Sequence, residues 1–459
     1  MKPKGPNLPD PELVFEKLLK RTGEFRPHPS GLNRLFFSFA TVVIHECFQT
    51  NRKNPWINDT SSYVDLSTLY GNTVNEQKRV RTYENGQIYP DSIASERIMM
   101  MPPGVIAVLL LFSRNHNAIA HSLFNINENG KYRPWNTLSD EEKKWQDEDI
   151  FQYTRNINVG YFATCVLRDY VSAILNTPRA DSTWWLNLGA EFKQLGKRVE
   201  RGSGNVVSVE FAVLYHWHAA LSAADGNWME QVLRSGLPDV ESVDDITPEM
   251  FTKVVAQHGH DLLAKPAKEW TFFDMERGED GRFDDVKLAE IIKDCIEEPA
   301  HAFGARGTPS SLRVVDIMGQ LQARNAFNVC TMNEFRRYLN LKEYASFDDG
   351  RGILNDAVAL IRGDRFFTFD FNSTSLTNWG VSKLATTHSG AYGGMLPMLL
   401  FGALPGAFTG TSTYALLPFY TPNAARQILK NNKVLELYDL NRPRSNMEIV
   451  GVHTQAACK

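Results

Sequence analysis

The sequence predicts a mainly α-helical fold, a single large domain with little β structure. Two observations support this: several long segments are apolar at helical spacing, and one of them is opened by a capping box. A third is negative, because runs that alternate apolar and polar residues, as half-buried strands do, are scarce.

Taken in order, residues 1–30 read as an extended, Pro-rich lead-in with one short helix near Glu12–Arg21. Residues 31–440 read as the domain and residues 441–459 as a tail. The stretch GLNRLFFSFATVVIHECF is apolar on nearly every side from Leu35 to Ile44, the mark of a helix buried in a large core. His45 ends that run. Residues 51–75 are polar and turn-rich and read as a loop. Pro102 and Pro103 lead into VIAVLLLFSRNHNAIAHSLF, a second buried helix that becomes amphipathic. Ser139-Asp140-Glu141-Glu142 forms the capping box, and behind it Ile150, Tyr153, Ile157 and Tyr161 recur at helical spacing. Glu191–Ser208 is a polar, glycine-containing connection, after which VEFAVLYHWHAALSAAD turns apolar again. Further helices are expected around Thr247–His258, Asp285–Ile296, Ser311–Arg324, Met332–Leu339, Leu354–Arg362 and Asn423–Leu429.

A chain of 459 residues, 43% hydrophobic and 22% charged, can bury a large core and keep an apolar cavity inside it. The net charge of −4 and the lack of a basic stripe argue against nucleic acid as a partner. Cys47, Cys165, Cys295, Cys330 and Cys458 are far apart and form no CxxC pair. That argues against a disulfide framework or a zinc ribbon and fits a reducing, cytoplasmic setting, so the sequons at Asn58 and Asn372 read as accidental. The N-terminus lacks the apolar core of a signal peptide, and no run of eighteen apolar residues exists, so no transmembrane segment is expected. Of the two most apolar stretches, Val105–Phe112 is too short to span a bilayer and Met395–Phe408 is broken by Pro397 and Pro405. Lipid association and homo-oligomerisation stay open.

Most of the eleven histidines need no special explanation. His258 and His260 sit in a polar stretch with no third ligand nearby and read as exposed, and His116 reads as a satisfied core histidine. His45 and His218 differ, because each sits in a strongly apolar segment and the two come from distant parts of the chain. A buried histidine usually has a partner, so taken singly each is more often a hydrogen-bonded core residue. Together they suggest two helices facing across a flat cofactor, and haem iron accepts one proximal histidine while leaving a distal pocket free. Tyr215 precedes His218 by three residues, which on a helix points both to one face. A phenol there would lie beside the haem edge and could carry a radical. From spacing alone, a core tyrosine bonded to a backbone carbonyl is the stronger reading. Trp217 reads as packing and His216 as pointing to another face.

The loop Ser61-Ser62-Tyr63-Val64-Asp65-Leu66-Ser67 offers oxygens at alternate positions, from the Ser61 hydroxyl, the Tyr63 carbonyl, the Asp65 carboxylate and the Ser67 hydroxyl. Glu46 could add a second carboxylate. Ca²⁺ takes six to eight such oxygens, whereas a serine-rich turn closed by its own hydrogen bonds is the stronger reading of these residues alone.

These motifs, in this order, resemble the haem peroxidase–cyclooxygenase superfamily, and within it the fungal fatty-acid dioxygenases (linoleate diol synthases and psi-factor-producing oxygenases). The resemblance runs from GPNLPDPELVFEKL and FRPHPSGLNRLFFSFATVVIHECFQTN through SSYVDLSTLYG, PPGVIAVLLLFSRNHNAIAHSLFNINENG and DEDIFQYTRNINVGYFATCVLRDYV. It continues in VEFAVLYHWHAALSAAD, QARNAFNVCTMNEFRRYLNL and YALLPFYTP. It implies haem b with His218 as the proximal ligand and His45 on the distal side. It further implies Tyr215 as the radical that takes hydrogen from an unsaturated C18 acid such as linoleate before O₂ adds, giving a hydroperoxy fatty acid. It also implies Ca²⁺ at Glu46, Ser61, Tyr63, Asp65 and Ser67.

Several positions depart from the family pattern. His216 stands where the fungal enzymes usually have Arg, Glu46 where the superfamily usually has Asp, and Thr41 where peroxidases place Gln. Ile98 falls at the position of the peroxidase distal arginine, with Arg97 next to it. That speaks against a haem peroxidase oxidising small reductants, which is one rival reading; a non-catalytic haem- or lipid-binding protein is the other. Family members commonly continue into a cytochrome P450-like domain, and no such cysteine-ligand motif follows here, so a hydroperoxide rather than a diol is the expected product.

Overall fold

Asn33 starts the central helix of the molecule, α1 (Arg34–Cys47). Its side chain accepts from Phe36 N at 3.0 Å, while its amide donates to the carbonyls of Ile296 at 2.9 Å and Tyr420 at 3.1 Å. One residue thus caps α1 and ties it to two distant segments. In this computed structural model, residues 8–51, 53–174, 207, 209–338, 340–345 and 419–424 are described. The expected helix at 354–362, the apolar stretch 395–408 and nearly all of the 191–208 connection lie outside them, as does most of 423–429.

The all-round apolar character of α1 has the consequence it predicts. Phe36, Phe39, Ala40, Val42, Val43 and Ile44 are all buried, and each large side chain contributes about 1.5–3 kcal/mol by leaving water. α2 (Pro103–Ile126) lies against α1, and its first two turns are buried before it becomes half exposed. α3 (Asp140–Thr164) opens on the expected capping box, with Ser139 and Glu142 bonded reciprocally, and packs along α2. It continues without a break into a π-helical turn, Cys165–Tyr170. The short helix α4 (Val209–Leu214) precedes α5 (Ala223–Gly236) and α6 (Pro248–Leu263). α7 (Asp285–Glu297) packs on both α1 and α2, and α8 (Arg313–Leu321) closes a smaller apolar cluster with α5 and α6.

Gly104 makes the crossing of α1, α2 and α7 feasible. A Cβ there would fall 2.7 Å from Ser38 Oγ and 2.6 Å from Cys295 Sγ. β structure among the described residues is limited to isolated bridges, such as Thr50 with Asn58. Among the described cysteines, Cys47, Cys165 and Cys295 form no disulfide. Among the described residues no helix is long and apolar enough to cross a membrane.

The short helix expected near Glu12–Arg21 is present as one α-turn, Pro11–Val14, running directly into a π-helical turn, Phe15–Leu19. Phe15 and Leu19 bury against Ile317 of α8, which fixes this lead-in to the domain. The 51–75 loop contains a short buried helix, Ser67–Tyr70.

Candidate active site

A cavity of 2430 Å³ opens between these helices. Small-molecule pockets usually span about 300–1,000 Å³, so this one has room for more than a single compact ligand. Its wall includes His45, Arg97, His216, Trp217, His218 and Asp316, so residues from distant parts of the chain share one space.

His45 stands in the last turn of α1. Its Nδ1 lies 2.7 Å from the Thr41 carbonyl. A carbonyl can only accept, so Nδ1 carries the proton and Nε2 is left with its lone pair. Burial, then the Arg97 charge, push the His45 pKa down to about 3. The ring is therefore neutral at physiological pH, with the Nε2 lone pair left over.

His218 is held differently. Its Nδ1 lies 2.6 Å from Asp316 Oδ1 on α8. A carboxylate behind an imidazole fixes the ring and raises the basicity of the opposite nitrogen, which is how a metal-binding histidine is commonly supported. The sequence offered little sign of this partner. Asp316 is one acid in an amphipathic helix, lying between the buried Val314 and Ile317, and it is 98 residues from His218.

The helical spacing inferred for Tyr215 and His218 is not what the chain adopts. α4 stops at Leu214, Tyr215–Trp217 are non-helical, and His218 opens a short 3₁₀ turn to Ala220. Side chains therefore pair two apart. The rings of His216 and His218 are 5.1 Å apart and those of Tyr215 and Trp217 are 5.4 Å apart. His216, expected to face elsewhere, lines the cavity beside His218, and burial followed by the His218 charge lowers its pKa to about 4. Trp217 packs as expected, against Phe37 and Phe303, and also lines the cavity. Tyr215 is buried and does not line it. Its hydroxyl is hydrogen-bonded to that of Tyr170, from the π-helical turn after α3, and burial raises the pKa of both phenols. Tyr170 received no role in the sequence reading.

The expected calcium loop closes largely on itself. Glu46 is buried, and its carboxylate accepts from Ser67 N at 2.7 Å, Ser67 Oγ at 3.1 Å, Thr68 N at 2.9 Å and the Thr68 hydroxyl. It thereby caps the Ser67–Tyr70 helix and joins it to α1. Ser61 Oγ donates to Asp65 Oδ1 at 3.0 Å, and Arg155 lies 3.5 Å from Asp65. The Tyr63 backbone N–H donates to Ser61 Oγ at 3.2 Å. Burial, then the Asp65 charge, push the Glu46 pKa up to about 7. Among the described residues no group of three or more His, Cys, Asp or Glu converges as a metal cage.

Residues 93–224 match the animal haem peroxidase family model, a span that holds Arg97, Tyr215, His216 and His218. Over 99% of its length the chain is 35% identical to psi-producing oxygenase A of Emericella nidulans, covering 46% of that protein. It is equally similar to 7,8-linoleate diol synthase of Pyricularia oryzae, covering 43% of it.

The chain is a homologue of the psi-producing oxygenases and linoleate diol synthases.

Linoleate 10R-lipoxygenase of Aspergillus fumigatus matches 95% of the chain at 35% identity. The chain spans less than half the length of these relatives. Among solved structures, fatty acid alpha-dioxygenase of Oryza sativa shares the fold, with a TM-score of 0.50 at 15% identity, over 93% of this chain and 81% of that one. The family implies haem, and the residues present fit it. Two imidazoles on one cavity, each with Nδ1 committed, one backed by a carboxylate, are the donors that such a group needs.

Proposed function

We propose that this chain oxygenates an unsaturated fatty acid of the linoleate class, with His218 as the residue that would hold haem iron, His45 as the histidine that would serve the distal pocket and Tyr215 as the hydrogen-abstracting radical. The observation that carries it is the shared cavity of His45 and His218, each with its Nδ1 occupied. When bound, haem would supply the one-electron oxidation of the Tyr215 phenol.

The chain's own residues do the rest. Asp316 orients His218, and neutral His45 takes up the proton of an incoming hydroperoxide on Nε2. Tyr215, held against Tyr170, gives up a hydrogen atom and becomes a phenoxyl radical. That radical takes a hydrogen atom from an allylic or bis-allylic carbon, O₂ adds to the carbon radical, and the peroxyl oxygen recovers the hydrogen from Tyr215. The net reaction adds O₂ to one C–H bond. Trp217 lines the cavity and packs edge-on against Tyr215, with ring centroids 5.4 Å apart. Low polarity and exclusion of water keep the radicals from side reactions.

Oxygen uptake with linoleate, followed by product identification, tests this. Tyr215→Phe is expected to abolish uptake and leave the haem absorption intact. Normal turnover by that variant, or guaiacol oxidation without oxygen uptake by the native protein, would overturn it. Calcium at Glu46, Ser61, Tyr63, Asp65 and Ser67 is a separate proposal, supported by the closeness of the Glu46 and Asp65 charges and tested by calorimetric titration with Ca²⁺.

A further inference from the structure

Arg97 is half-buried at the cavity wall, and the charges of Glu46, Glu96 and Glu76 reach it without any of those carboxylates bonding to it. Its Nη1 donates to the Phe48 carbonyl at 3.1 Å and its Nη2 to the His45 carbonyl at 2.6 Å, while its Nε is buried with no acceptor. Among the described residues no carboxylate comes within ion-pairing distance. Glu96 pairs instead with Arg79 at 3.6 Å, and the Glu46 carboxylate is taken by Ser67 and Thr68. The other cations on the cavity wall are placed differently. Lys53 is exposed, and Arg324, partly exposed, donates to the Pro9 carbonyl.

A guanidinium partly withdrawn from water, with one buried N–H unsatisfied and only neutral hydrogen-bond partners, is costly, and an anion that completes it regains part of that cost. The two carbonyls also hold the planar fork at the end of α1, leaving three of its five N–H groups unused. The rest of the wall is largely apolar, with Ile44, Phe48, Met99, Met101 and Val105 close by in sequence. An apolar space with one half-buried guanidinium that no carboxylate bonds suits a hydrophobic molecule that carries a carboxylate.

We infer that Arg97 is the carboxylate anchor of this cavity. The inference rests on the reading that the cavity holds haem and a fatty acid, both of which carry that group: a propionate in one case, the acid headgroup in the other. It gives the cavity wall an anionic subsite beside His45 that the sequence reading left unassigned.

The test measures binding rather than turnover. Apoprotein is titrated with haemin and with haemin dimethyl ester, read by the Soret band. Separately it is titrated with cis-parinaric acid and with its methyl ester, read by fluorescence. The native chain is expected to prefer the free acid of one pair by about tenfold or more, the scale of a charge-assisted hydrogen bond. Arg97→Ala erases that preference while the ester binds as before, and Arg97→Lys keeps part of it. Loss within the haemin pair assigns the anchor to a propionate, and loss within the fatty-acid pair assigns it to the substrate. If both preferences survive in Arg97→Ala, or if acid and ester weaken equally in each pair, the anchor role is wrong. Native protein that shows an Arg97-dependent acid preference but no oxygen uptake would sink the proposed activity and leave the anchor standing.

Discussion

Asp169 provides a test of the described packing that does not depend on any ligand. It lies in the π-helical turn after α3, is 8% exposed, and its Oδ1 has no hydrogen-bond partner. Burial pushes its pKa up to about 7, against an ordinary value of 3.8, and the Arg168 charge only partly opposes this. Between these two values the unfolded chain is ionised while the folded chain keeps the proton. Its contribution to stability is therefore full below pH 3.8 and declines as pH rises towards 7. At 1.36 kcal/mol per unit, the penalty is about 2 kcal/mol at pH 5 and levels off at about 4 kcal/mol by pH 8. Asp169→Asn is neutral at every pH and nearly the same shape. It is expected to match the native chain near pH 4 and to exceed its stability by about 4 kcal/mol at pH 8, which is about 4 °C in Tm for a protein of this size. Urea unfolding followed by far-UV circular dichroism at pH 4, 5, 6, 7 and 8 measures the difference, and titrations common to both proteins cancel. A difference that stays flat with pH, or that grows as pH falls, would refute the burial of an unpartnered carboxyl at this site.

Two further substitutions follow from contacts already described. His218→Ala is expected to lose the Soret band on haemin titration, whereas Asp316→Asn keeps the band with affinity about 10–100-fold weaker, because the histidine is less well oriented; equal behaviour of the two variants would separate Asp316 from that role. Gly86, at φ +69°, leaves no room for a Cβ, which would meet Phe151 N at 2.5 Å and Ile150 Cγ2 at 2.7 Å. Gly86→Ala is expected to cost about 2–4 kcal/mol in denaturant titration, from overpacking and a left-handed backbone together, and an unchanged midpoint would contradict the placement of that turn on α3.

The parts of the fold legible in the sequence were those encoded by near neighbours. α1 was readable because nearly every position in ten residues is apolar, and α3 because Ser139 and Glu142 cap each other across one turn. Two of the site residues, His45 and His218, stood out as histidines in apolar surroundings, and the structure brings them to one cavity. The Tyr215 geometry was misjudged because three-residue spacing carries meaning only if the helix persists. Four consecutive aromatic residues are weak helix formers, and here tertiary contacts with Tyr170, Phe37 and Phe303 replace the helical bonds. Asp316 and Tyr170 could not be read locally, since each acquires its partner through contacts made far along the chain. The calcium loop shows a related limit, because its oxygens were countable in sequence while the donors that Glu46 would find, the backbone of Ser67 and Thr68, were not.

The π-helical turn Cys165–Tyr170 bears on how this protein tolerates insertions and deletions. Such a turn carries one residue more than the α-helix it interrupts, and each residue added to a helix advances everything beyond it by about 100°. Tyr170 meets Tyr215 only at the present phase. A one-codon deletion between Cys165 and Tyr170 would leave a regular, well-formed helix of nearly the same composition and length. It would also turn the phenol away from its partner, and with it the buried Ser172, Ala173 and Ile174 that follow. Helix length at that point sets the contact as much as the identity of the tyrosine does.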